Sequence, residues 1–242
     1  MKTLSVITVT YNAETTIERT LQSVAEQSYP HIEHIIVDGN SKDKTIELIK
    51  KSENNKLKWI SEPDKGLYDA MNKAAATATG DYLCFLNAGD KFHAPNSVEE
   101  MMKTIDSDNA PDIIYGETAI VSNDGEFLHM RKLQTPEKLH YKSFKQGMLV
   151  CHQAFIVSKA LFEPYDLKYR FSSDFDWAVR MMKKAKSIHN THLTLIDYLN
   201  EGLTTANRKK SLKERYRIMV EHYGHASTAL HHAWFVVRAL IK

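Results

Sequence analysis

Residues 4–39, LSVITVTYNAETTIERTLQSVAEQSYPHIEHIIVDG, hold two β-branched runs with a helical pattern between them. The first run is continuous, as expected of a buried strand. Ile17, Leu21 and Val24 then recur at helical spacing behind Thr15 and Glu18, which are spaced like a capping box. The second run closes on Asp38 and Gly39. Strand, helix and strand in that order predict a parallel pair with its crossover helix, the unit of an α/β fold.

The pattern continues outward. Ser41 or Asp43 is placed to cap a helix carrying Ile46 and Ile49, KLKWISEP reads as a third strand, LYDAMNKAAATA as a helix, and DYLCFLNAGD as a strand with a polar end. Beyond Ser97 and Glu100, a second capping-box spacing, DIIYG and ETAIVSNDGEFLHM read as strands with a turn at residues 123–125. Phe175, Val179 and Met182 mark another helix. The expected architecture is α/β with a mixed central sheet, helices on both faces and a C-terminal helical tail. A catalytic domain is expected over 1–206 and a basic amphipathic helical tail over 207–242.

With 43% apolar and 26% charged residues, the 242-residue chain has an ordinary globular balance. Cys84 and Cys151 fit neither a zinc clip nor a disulfide framework, which points to a reducing compartment. The first strand begins at Leu4, leaving no room for a secretory leader, and no apolar run approaches the ~20 residues of a membrane span. The expectation is a cytoplasmic protein, at the inner face of the membrane if its tail binds lipid.

Four polar clusters follow predicted strands: Thr10, Tyr11 and Asn12; Asp38, Gly39, Ser41 and Asp43; Asn87, Ala88, Gly89 and Asp90; and Ser173, Asp174 and Asp176. In α/β sheets ligands gather at such strand ends. Neither GxGxxG nor GxxxxGK[ST] occurs, which sets aside dinucleotide oxidoreductases and P-loop enzymes.

The order VTYN (9–12), VDGNSKD (37–43), EPDKGLYDAMNKAAATATGDYLCFLNAGD (62–90) and SSDFDW (172–177) resembles the family 2 glycosyltransferases. Within them it is most similar to bacterial enzymes of exopolysaccharide or lipopolysaccharide assembly. The resemblance implies the Rossmann-like nucleotide-diphospho-sugar transferase fold (GT-A). It also implies an inverting transfer of sugar from a nucleotide diphosphate, UDP by default, to a hydroxyl of a saccharide or lipid-linked saccharide.

By the same resemblance Thr10, Tyr11, Asn12 and Asp38 bind the nucleoside, Asp69 and Asn72 lie beneath the ribose and diphosphate with Lys65 near the phosphates, and Asn87 contacts ribose or a metal-bound water. The metal motif departs from the family's Asp-x-Asp form: only Asp90 keeps a carboxylate, and it is the expected ligand of Mg2+ or Mn2+. Asp174 maps onto the general base that takes the acceptor proton. Asp176, two residues on, should leave a helix on a different face. His152, Asp176 and Arg208 are lesser candidates for acceptor or phosphate contacts, and residues 202–205 for a loop closing over the donor.

Two other classes compete. A nucleotidyltransferase would need a glycine-rich basic loop where VTYNAETT stands, and a non-catalytic nucleotide-sugar-binding protein has only Asn87 in its favour. The tail is basic, with Arg208, Lys209, Lys210, Lys213, Arg215, Arg217, Arg238 and Lys242 against Glu214 and Glu221, while the whole chain carries only +2. Nucleic acid is not an expected partner. Basic residues beside Trp234 and Phe235 suit an anionic membrane surface, docking on the catalytic body, or a homodimer.

Overall fold

The computed structural model describes residues 1–52, 57–106, 108–200 and 207–241. Its first half runs β1 (Leu4–Thr10), α1 (Ile17–Ala25), β2 (Ile32–Asp38), α2 (Thr45–Lys51), β3 (Leu57–Ser61), α3 (Leu67–Thr77) and β4 (Tyr82–Phe85). Then come β5 (Lys91–Phe92), α4 (Ser97–Lys103), β6 (Ile113–Val121), β7 (Phe127–Met130) and two 3-10 turns, Tyr141–Gln146 and His152–Ala154. The last elements are β8 (Phe155–Ser158), α5 (Ser173–Lys184), β9 (Ile188–Leu199), α6 (Arg208–Tyr223) and α7 (His225–Ile241).

The strands form one mixed sheet in the order β3-β2-β1-β4-β8-β6-β9-β5, with β7 paired to β6. β1, β2, β3 and β4 are parallel, and β8 runs antiparallel between β4 and β6. Every residue of β1 and β2 is buried, as the continuous β-branched runs require. The order reverses at β1, whose neighbours are β2 and β4, so a crevice opens at its carboxyl end.

The expected turn at 123–125 joins β6 to β7, with Gly125 in the left-handed region at φ +86°. Neither expected capping box forms. α1 is preceded by Thr16 and α4 by Asn96, without a side-chain cap, and Ser97 Oγ instead accepts from Ala94 N at 2.8 Å. The N-cap of α2 is Lys44, and Asp43 just before it accepts Thr45 N at 3.0 Å while its other oxygen takes Glu14 N at 3.0 Å.

Gly224, at φ +80°, separates α6 from α7 as the sequence suggested. α6 docks on the body, where Ile218 and Met219 are fully buried. Its polar side grips the segment before α5: Ser172 and Ser211 hydroxyls lie 2.9 Å apart, and Glu214 accepts Arg170 N at 3.0 Å and Phe171 N at 2.7 Å. α7 rests Phe235 on the core near the 3-10 turn at Tyr141–Gln146, leaving Leu230 and Trp234 exposed. Among the described residues no helix is long and apolar enough to cross a membrane.

Candidate functional site

The crevice floor comes from the ends of β1, β2 and β3. Thr10 and Asp38 stand opposite each other in register. Asp38 is fully buried and accepts Ser41 N at 2.9 Å, Ser61 Oγ at 2.6 Å and the Ser41 hydroxyl. A carboxylate so occupied braces the loop, and reaching a base with it requires Ser41 or Ser61 to move. Tyr11 is 64% exposed, so it is not packed under the sheet and offers an open ring face. Beside it, a Cβ at Gly39 would meet Asp64 Oδ2 at 2.6 Å and the Tyr11 ring at 3.3 Å, so glycine is what lets these two approach.

Asn12 and Asn40 hold left-handed backbone at φ +48° and +64°, a conformation asparagine tolerates. Asn12 also locks the two loops together, donating its N–H to Ser41 Oγ at 2.8 Å and accepting Lys42 N at 2.9 Å. Thr10 Oγ1 is buried without a hydrogen-bond partner among the described residues.

Two expected donor contacts are committed elsewhere. Asp69, in the first turn of α3, accepts Lys65 N at 2.9 Å and lies 3.8 Å from Lys73 Nζ. Asn72 is used at both ends, donating to Tyr165 O at 2.9 Å and accepting Tyr165 N at 2.8 Å. It staples α3 to a segment 93 residues away rather than facing a ligand. The Lys65 side chain is solvent-exposed.

The NAGD turn departs most from expectation. Asp90 is 4% exposed; Oδ1 accepts Leu199 N at 3.0 Å and Oδ2 accepts Gln153 Nε2 at 2.6 Å. Burial pushes its carboxyl up to about 7, against the pull of these bonds and of Arg19. At Gly89, φ +100°, a Cβ would come within 2.9 Å of Leu199 Cδ2, so the turn has no room for a side chain there. Asn87 Oδ1 is a buried acceptor without a hydrogen-bond partner among the described residues, a neutral oxygen where a hard divalent cation prefers a carboxylate. Among the described residues no three His, Cys, Asp or Glu side chains are grouped to hold a metal. As placed, both Asp90 oxygens are taken by Leu199 N and Gln153 Nε2, so the turn offers Mg2+ or Mn2+ no free charged oxygen and a metal role would require Asp90 to leave these partners.

Asp174 sits in the first turn of α5, half-buried, and accepts the Tyr68 hydroxyl at 3.0 Å. Tyr68 belongs to an aromatic ladder, stacked on Tyr165 at 5.4 Å, which is stacked on Trp177 at 4.9 Å. Burial and the Asp174 charge raise the Tyr68 phenol well above its usual value, so it acts as a fixed donor. Asp176 points elsewhere, accepting Arg180 Nε at 2.8 Å and pairing with His222 Nε2 at 2.8 Å. This joins α5 to α6 and removes Asp176 from the acceptor contacts.

His152 is likewise structural. It is 6% exposed, stacked on Phe85 at 5.4 Å and bonded to the Tyr165 hydroxyl at 2.6 Å, and burial lowers its pKa to about 4. The Arg208 side chain and the 202–205 loop lie outside the described residues.

Tyr68, Gln153 and Glu214 escaped the sequence reading. Tyr68 precedes the more conspicuous Asp69, Gln153 follows His152, and Glu214 counted only as a minority charge in a basic tail. Helical spacing offered a signal for Tyr68 alone, since it shares a face with the buried Met71 and Ala75.

A sheet that reverses at β1, with polar residues gathered at its carboxyl edge and an aspartate in the first turn of a facing helix, defines a GT-A glycosyltransferase. The chain belongs to glycosyl transferase family 2, whose description matches residues 5–164. It is 31% identical over 186 residues to a PGL/p-HBAD biosynthesis glycosyltransferase of Mycobacterium bovis, covering 73% of this chain and 68% of that one. It is 24% identical over 219 residues to the Escherichia coli UDP-Glc:alpha-D-GlcNAc-diphosphoundecaprenol beta-1,3-glucosyltransferase WfgD, covering 89% and 85% of the two chains. Among solved structures, residues 1–349 of S. aureus TarS with UDP superpose with a TM-score of 0.71 at 18% identity, over 99% of this chain and 72% of that one. The same protein with UDP-GlcNAc gives 0.71 at 19% identity, over 97% and 71%.

Proposed function

We propose that the protein moves a sugar from a UDP-linked donor, with inversion, onto a hydroxyl of a saccharide carried on a lipid, in the assembly of a bacterial surface polysaccharide. The observation that carries this reading is Asp174, set in the first turn of α5 and held through one oxygen by Tyr68. The acceptor hydroxyl gives its proton to the free side of that carboxylate as its oxygen attacks the anomeric carbon. The bond from that carbon to the diphosphate oxygen breaks with its electron pair, on the opposite face. Tyr11 supplies the ring face for the base, with Asp64 and the backbone around Asn12 at its edge.

The donor class is supported by the UDP and UDP-GlcNAc complexes of TarS, and the lipid-linked acceptor by the name of the E. coli relative. Contact with the membrane through the basic tail belongs to this reading, since such an acceptor lies at a lipid surface. Protein-held Mg2+ or Mn2+ is not part of this reading.

The test is thermal stabilisation by UDP-, GDP- and dTDP-linked sugars, followed by transfer with the best donor and NMR of the product anomer. Stabilisation by UDP sugars and an inverted product are expected. A retained configuration, or stabilisation confined to other nucleotides, overturns the corresponding part.

A further inference from the structure

We infer that Arg215 of α6 is the cation that meets the donor's diphosphate, a fixed guanidinium supplying charge that a metal ion would otherwise bring to the leaving group. The inference rests on the donor reading above.

The need arises at the NAGD turn. A diphosphate leaving group takes away an electron pair, and its charge must be met at that moment by something positive and preorganised. Here Asp90 is turned to Gln153 and Leu199 N, and Leu199 fills the space over Gly89, so the NAGD turn presents no free carboxylate to seat a cation. The compensating charge has to come from elsewhere.

Arg215 has the environment of a group awaiting an anion. Its guanidinium lies over the Phe175 ring at 5.5 Å, one residue from Asp174, and its Nε is shut from solvent with no hydrogen-bond partner among the described residues. Among the described residues no carboxylate forms an ion pair with it. It feels the charges of Asp174 and Arg131 and the Tyr68 phenol, and burial lowers its pKa. Arg131 itself is spent on backbone, donating to the carbonyls of Leu133, Leu149 and Met148. A guanidinium with one N–H buried and idle is costly, and a bidentate phosphate contact is the chemistry that relieves it.

The reaction geometry fits. In an inverting displacement the attacking and leaving oxygens flank one carbon. A cation within electrostatic reach of the base, but not bonded to it, can therefore lie on the leaving side. Phe175 and the grip of Glu214 on Arg170 and Phe171 fix Arg215 in place, so little reorganisation is needed. By contrast, Lys65 and Lys210 are solvent-exposed, and the Arg19 guanidinium lies beside Gly125 at the β6–β7 turn.

Calorimetric titration with UDP, UMP and uridine in EDTA, on wild type, R215M and R215K, tests the assignment. Met keeps the stem against Phe175 and removes the charge, while Lys keeps a charge without the fork. R215M is expected to weaken UDP at least tenfold, UMP less, and uridine within twofold, with R215K between; thermal unfolding should stay near wild type. Equal loss for UDP and uridine, or none for UDP, overturns the role of Arg215 while leaving the donor site intact. Failure of wild type to bind UDP, with or without Mn2+, overturns the donor reading and this inference together. If R215M alone unfolds, R215K decides: UDP affinity equal to wild type in R215K with transfer unchanged overturns the fork geometry, and a selective loss for UDP supports it.

Discussion

The Tyr68 hydroxyl and Asp174 Oδ1 are 3.0 Å apart although 106 residues separate them in the chain. One hydrogen bond thus ties α3 to α5, the helix that carries the proposed base. Because Tyr68 is stacked on Tyr165, and Tyr165 on Trp177, the bond has little freedom to swing. Y68F should lower kcat about tenfold, the scale of one hydrogen bond to a charged group, while leaving UDP affinity unchanged. Steady-state transfer and UDP titration of the variant check this, and an equal loss in both would make Tyr68 a donor-site residue.

Asp174→Asn and Asp176→Asn should separate chemistry from architecture. D174N keeps size and helix-start character but removes the proton acceptor, so transfer should fall at least about a hundredfold with donor affinity intact. D176N weakens the links to Arg180 and His222 and should cost about 2 kcal/mol of stability, with activity lost mainly on heating. A dead but stable D176N together with an active D174N would reverse the assignment.

Asp90 gives a pH signature. An ordinary aspartate titrates near 3.8 and Asp90 near 7, so between these values the folded protein keeps a proton that the unfolded chain releases. Its contribution is most favourable below 3.8 and is lost as pH rises toward 7. D90N should therefore raise Tm at pH 8 and approach wild type near pH 4, with Gln153 turning its amide to match. UDP affinity should change less than threefold, in EDTA or in Mn2+. A loss confined to Mn2+ would restore Asp90 as a metal ligand.

Glu33 behaves in the opposite sense. It is 8% exposed and accepts Ser5 Oγ, Thr79 N and Oγ1, and Gly80 N, which hold its carboxyl at about 2 against burial. The stability it adds is complete above its ordinary 4.5 and is lost as pH falls through about 2. E33Q should cost about 2 kcal/mol at pH 7, and the deficit should shrink on acidification, as read from denaturant melts.

The exposed Leu230, Trp234 and Val237 share one face of α7, and Lys209, Lys210 and Lys213 extend from the neighbouring helix. Binding to vesicles rich in anionic lipid is expected to drop in L230E/W234E with transfer to a soluble acceptor unchanged. Flotation measures it. Equal flotation, with a shift from dimer to monomer in the variant, would assign the face to a second copy.

β1, α1 and β2 were legible because their residues are buried by the sheet itself, so periodicity alone reports them. β9 was not. IHNTHLTLIDYL mixes polar and apolar residues without a clean alternation, and it is a strand because β6 and β5 pair with it on either side. The site divides along the same line. Asp174 follows a local motif, but nothing local tells that Asn72 is consumed by Tyr165, or Asp90 by Leu199 109 residues later. A polar residue at a strand end looks alike whether it awaits a ligand or a distant stretch of backbone.

The grip of α6 on residues 170–172 bears on timing during synthesis. Domains fold largely from the N-terminus as they emerge, and the β1 to β4 sheet can assemble early. Asp174, however, takes its final setting from Ser211, Glu214 and His222, through Ser172, Phe171 and Asp176. A nascent chain made only to Leu199 would have the crevice at β1 but an unsecured α5, the helix of the proposed base. Catalytic competence should therefore arrive late and abruptly, when residues 211–222 clear the ribosome and close onto α5.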